Sequence, residues 1–242
     1  MQSFRPFSIM HAVVVLVFVA LTTALVLLRR RVRDTPAADA IDRGVTAAAV
    51  AVWLFTTLVP LLPRLYDPKW SLPLHVCDFA TLAVPVALAT RWRPARALAY
   101  FWGVGLSSQG FFTPDLQHGP AHVGFWLFWS AHYAVVGGPI YDVAARDFRP
   151  DWRDWVIAVA ASVAYAVVIL PLDVMFDLNY GYIGPSKPGQ PSLVDALGPW
   201  PRRIVVMWFL ALVVMTALLL PWEAARRFGA ARARASRRPE FT

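Results

Sequence analysis

Seven apolar runs decide what this chain can fold into. They cover residues 9–28, 45–62, 72–90, 95–112, 123–145, 155–176 and 204–222. A helix needs about 20 apolar residues to cross the hydrocarbon of a bilayer, and runs of this length, repeated seven times, predict an all-α, polytopic membrane bundle. Composition agrees: 58% of the residues are hydrophobic and only 16% are charged, where soluble domains carry about a quarter. The third and fourth runs are short and contain polar residues, and the third contains Pro85. Such segments are tolerated in lipid only when other helices or a cavity cover them, so both are expected inside the bundle. No linker or internal repeat divides the chain. One domain is expected over residues 1–225, followed by a basic tail over 226–242.

The cations set the expected orientation. Arg29, Arg30, Arg31, Arg33 and Arg43 lie between the first two runs. Arg91, Arg93 and Arg96 follow the third, and Arg146, Arg149 and Arg153 follow the fifth. Arg226, Arg227, Arg232, Arg234, Arg237 and Arg238 follow the seventh. With seven spans, 17 of the 23 basic residues fall on one side. An excess of arginine marks the cytoplasmic side, which predicts an outside N-terminus, a cytoplasmic C-terminus and residence in the plasma membrane. The net charge of +8 is explained by this topology. The cations form no nucleic-acid face, and the expected partners are membrane lipids. The oligomeric state is left open.

This topology gathers the reactive residue types at the other end. The stretch Ser71-Leu72-Pro73-Leu74-His75-Val76-Cys77-Asp78 holds the only cysteine. If Ser71 caps the third helix, Pro73 sits in its first turn, where a missing N–H costs nothing, and Cys77 lies about two turns in. His75 and Asp78 are three apart and can pair on one face. His75 and Cys77 are two apart and point to different sides, so a base for the thiol has to come from another helix. His132 is the natural candidate: it lies ~15 Å below the start of the fifth helix, at a depth where an ionisable group marks function. The blander readings are a small buried hydrophobe for Cys77 and an interhelical hydrogen bond for His132.

Further polar groups share this end. Gln109 and Asp115 close the fourth run beside Pro114, and the long loop 177–203 carries Asn179, Tyr180, Tyr182, Lys187, Ser192 and Asp195. Loops of this length are often lids, while tyrosines also suit the headgroup belt. His118 and His122 have helical ligand spacing, but Gly119 and Pro120 between them break a helix, so no metal site and no cofactor is expected.

These stretches together resemble the YwaF-like family of bacterial multi-pass membrane proteins. The residues that carry the resemblance are Leu72 to Asp78, Tyr100-Phe101-Trp102-Gly103, Thr113-Pro114-Asp115, Phe125 to His132, Asn179-Tyr180-Gly181-Tyr182 and Leu193 to Pro201. More distantly, the chain is similar to the transmembrane protein 164 family, which implies a cysteine-dependent acyltransferase that remodels phospholipids. Its essential cysteine would fall on Cys77 and its histidine partner on His132.

The leading expectation is therefore an enzyme that takes an acyl chain on Cys77 as a thioester, with His132 as general base and then acid. Asp78, Gln109, Asp115 and Asn179 would position groups or donate to the oxyanion. His75 would line the substrate site, with Tyr180, Tyr182 and Asp195 of the loop that covers the headgroup. The alternative is a transporter or solute-binding protein in which His132, Asp78 and Asp115 line a polar pathway without covalent chemistry.

Overall fold

The computed structural model describes residues 4–116, 118–185 and 193–235. The loop residues Lys187 and Ser192 and the tail residues Arg237 and Arg238 lie outside them. The described residues contain helices and no strand: α1 (Ile9–Arg31), α2 (Pro36–Leu58), α3 (Val76–Thr90), α4 (Arg93–Leu98), α5 (Val123–Ala145), α6 (Trp152–Met175) and α7 (Arg202–Ala235). α4 continues into a π-helical stretch, Ala99–Leu106, and then a 3-10 turn, Ser107–Phe111. Together these three make one segment of membrane length, so the chain passes back and forth seven times.

Four helical stretches, Ile9–Arg31, Pro36–Leu61, Trp152–Met175 and Arg202–Gly229, are long and apolar enough to cross a membrane. They form the outside of the bundle and present Leu16, Leu54, Val167 and Phe209 outward. α3, the π stretch and α5 form the inside, where Ala80, Val84, Phe101 and Val135 are buried. The two runs expected inside are indeed enclosed. Small residues allow this close packing. A Cβ on Gly103 would overlap the Val135 carbonyl oxygen, and one on Gly138 would overlap the Val84 side chain.

Several boundaries differ from those read in the sequence. α2 begins at Pro36, because proline fits the first turn of a helix, where its missing N–H is not needed. α3 begins only at Val76. Ser71 does not cap it: the Ser71 hydroxyl accepts from the Asp67 N–H at 2.9 Å and donates to the Leu65 carbonyl. α7 continues through Trp222 to Ala235.

At the arginine end, ion pairs tie the helices together. Asp42 of α2 takes a bidentate contact from Arg29 of α1 at 2.9 and 3.2 Å, and the Tyr141 hydroxyl of α5 donates to it at 2.5 Å. Arg146, just beyond α5, stands 3.6 Å from Asp42 and donates to the Leu88 carbonyl of α3. Arg96 of α4 is bidentate to Asp142 of α5 at 2.6 and 3.0 Å. Arg93 joins α4 to Asp151 and Asp154 at the start of α6. Arg226 of α7 donates to the Pro150 carbonyl. All seven membrane segments are thus linked at one end.

Candidate functional site

The opposite end is organised around the start of α3. His75 is the N-cap, so Cys77 is the second residue of the helix, in its first turn rather than two turns in. His75 and Asp78 do interact, but not through the imidazole. The Asp78 carboxylate accepts the backbone N–H of His75 at 2.8 Å, closing the helix start. The imidazole turns instead to the 177–203 loop, where its Nδ1 accepts the Gly181 N–H at 3.2 Å. A neutral His75 therefore carries its proton on Nε2. Gly181 has φ +62°, and a Cβ there would overlap the Tyr165 ring, so the residue has to be glycine on both counts.

Two chain segments cover this helix start. Tyr180 is completely buried. Its hydroxyl donates to the Pro68 carbonyl at 2.7 Å and accepts the Leu72 N–H at 3.2 Å, and its own N–H donates to Asp173 at 3.0 Å. The loop after α6 is thereby fastened to the α2–α3 connection. His75 lies among the rings of Trp70, Tyr180 and Tyr182. The Tyr182 hydroxyl donates to Asp115 at 3.4 Å. Burial pushes the Tyr180 phenol up to about 12, and burial with Asp115 close by pushes Tyr182 up as well, so both stay protonated hydrogen-bond donors at neutral pH. Farther along the loop, Asp195 pairs with the buried Arg203 of α7, which also donates to the Gly184 carbonyl.

Cys77 belongs to the inward stripe of α3. At 100° per residue it shares a face with Thr81, Val84 and Leu88, all three of them buried, yet Cys77 is only half-buried. α3 and α5 run in the same direction, and Val84 meets Gly138. Seven residues back along each helix, about 10 Å, Cys77 is level with Ala131 and Asp78 with His132. The two helices therefore bring thiol and imidazole to one depth.

The orientation of His132 is fixed. Its Nδ1 lies 2.8 Å from the Phe128 carbonyl, which can only accept, so the proton is on Nδ1 and the lone pair on Nε2. Phe128 stacks on the ring at 4.0 Å between centroids and Phe111 meets it edge-on. Nε2 points at the backbone of Gly110 in the 3-10 turn, where any Cβ would overlap the imidazole. Gly110→Ala is accordingly expected to cost about 1–3 kcal/mol, as overpacking does, read as a lower unfolding midpoint. Gly44→Ala, where nothing lies within 4 Å, is the control and should gain about 0.4–1 kcal/mol.

The remaining expected site residues divide. His75, Tyr180, Tyr182 and Asp115 converge over the start of α3. Asn179 is half-buried beside them. Gln109 turns its side chain outward and is exposed, because the π stretch before it shifts the rotation of the segment. Asp195 is engaged with Arg203. His118 and His122 lie 4.1 Å apart between centroids, their rings tilted by 32°, outside any helix, with His122 capping α5. Sequence reasoning missed Trp70 and Tyr165. The Tyr165 hydroxyl donates to the Leu74 carbonyl at 2.7 Å, and only its place as a tyrosine inside an apolar helix signalled a polar neighbour.

Compared with known proteins, the chain matches the family model of the TMEM164 family over residues 6–219. No curated protein and no solved structure matches it.

Proposed function

This chain belongs to the TMEM164 family and is a multi-pass integral membrane protein, and from that premise we propose that it is a cysteine-dependent acyltransferase that remodels phospholipid. The observation that carries this reading is the half-buried Cys77 at the first turn of α3, level with a histidine that keeps its lone pair on Nε2. The arginine end then faces the cytoplasm of the plasma membrane, and the reaction takes place toward the outer leaflet.

In the first half-reaction His132 Nε2 takes the thiol proton and the sulfur attacks the ester carbonyl carbon of a phospholipid. A C–S bond forms and the carbonyl electron pair moves to oxygen. As this intermediate collapses, the ester C–O bond breaks and the imidazolium returns the proton to the departing lysophospholipid oxygen. The thioester remains on Cys77. A second lysophospholipid hydroxyl reverses these steps and leaves with the acyl chain. The N–H of Cys77 is one of the first four of its helix and has no carbonyl within it, so it is available to the oxyanion. Tyr182, Asp115 and the rings around His75 would meet the headgroup.

The test is direct. Purified protein in lipid–detergent micelles is given a phospholipid with an alkynyl acyl chain, quenched, and tagged. Label on the protein that hydroxylamine removes and that Cys77→Ala abolishes is the expected result. Label that survives Cys77→Ala, or no thioester under conditions where lysolipid is released, refutes the mechanism.

A further inference from the structure

We infer that the arginine end holds a binding site for a phosphate anion, formed by Arg146 with Arg30 and Arg91 and open to an anionic lipid headgroup. It lies at the opposite end of the bundle from Cys77 and does not depend on acyl transfer.

The buried charges at this end do not balance. Three guanidinium groups, those of Arg29, Arg96 and Arg146, have side chains 11%, 15% and 4% exposed, and they face two carboxylates, Asp42 and Asp142. Arg29 takes both oxygens of Asp42, and Arg96 takes both of Asp142. The Nε of Arg146 is left 3.6 Å from Asp42 and 4.0 Å from Asp142, too far for a hydrogen bond. That buried Nε has no partner. Nη1 donates to the Leu88 carbonyl, and among the described residues Nη2 donates to nothing. Burial holds the Arg146 guanidinium below its ordinary range, and Arg91 and Arg96 push the same way against the attraction of Asp142 and Asp42. Asp39, one turn before Asp42, is exposed and acts on Arg29. A buried cation in excess is costly unless an anion meets it.

Two exposed arginines complete the corner, where α1, α3 and α5 all end. Arg30, in the last turn of α1, donates to the Ala144 carbonyl at 2.7 Å, two residues before Arg146. Arg91 caps α3, three residues after the Leu88 whose carbonyl Arg146 holds. Among the described residues neither Arg30 nor Arg91 is paired with a carboxylate. The helix ends bring only partial negative charge, and the Leu88 and Ala144 carbonyls already accept from Arg146 and Arg30. Trp92, exposed beside Arg91, suits the headgroup belt, so the corner sits at the depth of lipid phosphates. Guanidinium forks match phosphate oxygens two at a time, and basic pockets between membrane helices take such headgroups.

The experiment follows the unfolding midpoint of the full chain in neutral detergent micelles as phosphatidylglycerol, phosphatidylcholine or inorganic phosphate is added. Four proteins are compared with wild type as the reference: the double variant Arg30→Gln with Arg91→Gln, the single variant Arg146→Gln, and a control, Arg153→Gln with Arg227→Gln. The control removes two exposed charges from α6 and α7 at the same end. At about a hundredfold excess over its half-saturating concentration, phosphatidylglycerol should raise the midpoints of wild type and control by about 5–10 °C. Phosphatidylcholine should not. The double variant and Arg146→Gln should lose most of that rise; should Arg146→Gln fail to fold, the double variant alone decides. An equal rise with inorganic phosphate, lost in the same variants, keeps the site and makes its occupant a free anion. The inference is overturned if neither phosphatidylglycerol nor phosphate raises the midpoint, or if phosphatidylcholine does so equally. It is overturned as well if the double variant keeps the response or the control loses it as fully.

Discussion

Replacing Asp42 by alanine is expected to destabilise the fold by about 3–5 kcal/mol, the range for breaking a buried ion pair on one side only. Asp42 faces Arg29 and Arg146, and the side chains of those arginines are 11% and 4% exposed. The carboxylate also accepts the Tyr141 hydroxyl. Without it two guanidinium groups remain in the bundle, with Asp142 shared between Arg96 and Arg146. The comparison residue is Asp34, whose pair with Arg33 is open to solvent at 3.6 Å; Asp34→Ala should change stability by about 0–1 kcal/mol. A second comparison separates lost charge balance from lost packing. The double replacement Asp42→Leu with Arg29→Met removes one charge of each sign, and should recover part of the deficit, as apolar replacement of buried pairs does. Unfolding titrations in mixed micelles read all three variants. A loss below 1 kcal/mol in Asp42→Ala would mean that the clamp does not hold the arginine end.

That clamp was only half legible in the sequence. The arginine clusters gave the topology, but their partners are remote: Asp42 meets Tyr141 at 99 residues' separation, and Arg93 meets Asp154 at 61. Which arginine takes which aspartate is decided by helix packing, and no local pattern encodes it. The apolar runs fared better. The fifth run, 123–145, coincides with α5, because spanning length and hydropathy act through local chemistry. The start of α3 was misjudged for an equally physical reason. Ser71 looks like an N-cap, but its hydroxyl satisfies the turn beneath Trp70 instead, and Asp78 does the capping from inside the helix.

The site was legible to a similar extent. Helical spacing alone separates His75 from Cys77 and sends the search for a base to α5. The depth of His132 follows from counting residues along that helix. What spacing does not give is rotation across an irregular segment. The π stretch Ala99–Leu106 breaks the 100° period, so Gln109 turned outward, while Gly110 and Ser107, featureless in sequence, face inward. Likewise Tyr165 and Trp70 enter the site through contacts with residues about 90 and five positions away.

Changing His132 to glutamine is expected to slow acylation of Cys77 by about 10²–10⁴-fold, the usual contribution of a positioned general base. Glutamine fills much of the imidazole's place between Phe128 and Phe111 but takes up no proton. Because the Phe128 carbonyl fixes the imidazole proton on Nδ1, the base is Nε2, and the pH dependence follows from it. A protonated imidazole has no lone pair for the thiol proton, so the wild-type rate should rise with pH through the imidazole titration and then level off. The glutamine variant should lack that limb and rise only where the thiol itself ionises in bulk exchange. His75 provides the contrast. Its Nδ1 is occupied by the Gly181 N–H, so His75→Gln should leave the shape of the pH profile intact, whatever it does to lipid affinity. If His132→Gln keeps both the wild-type rate and its pH limb, His132 is not the base, and the level it shares with Cys77 is a matter of packing alone.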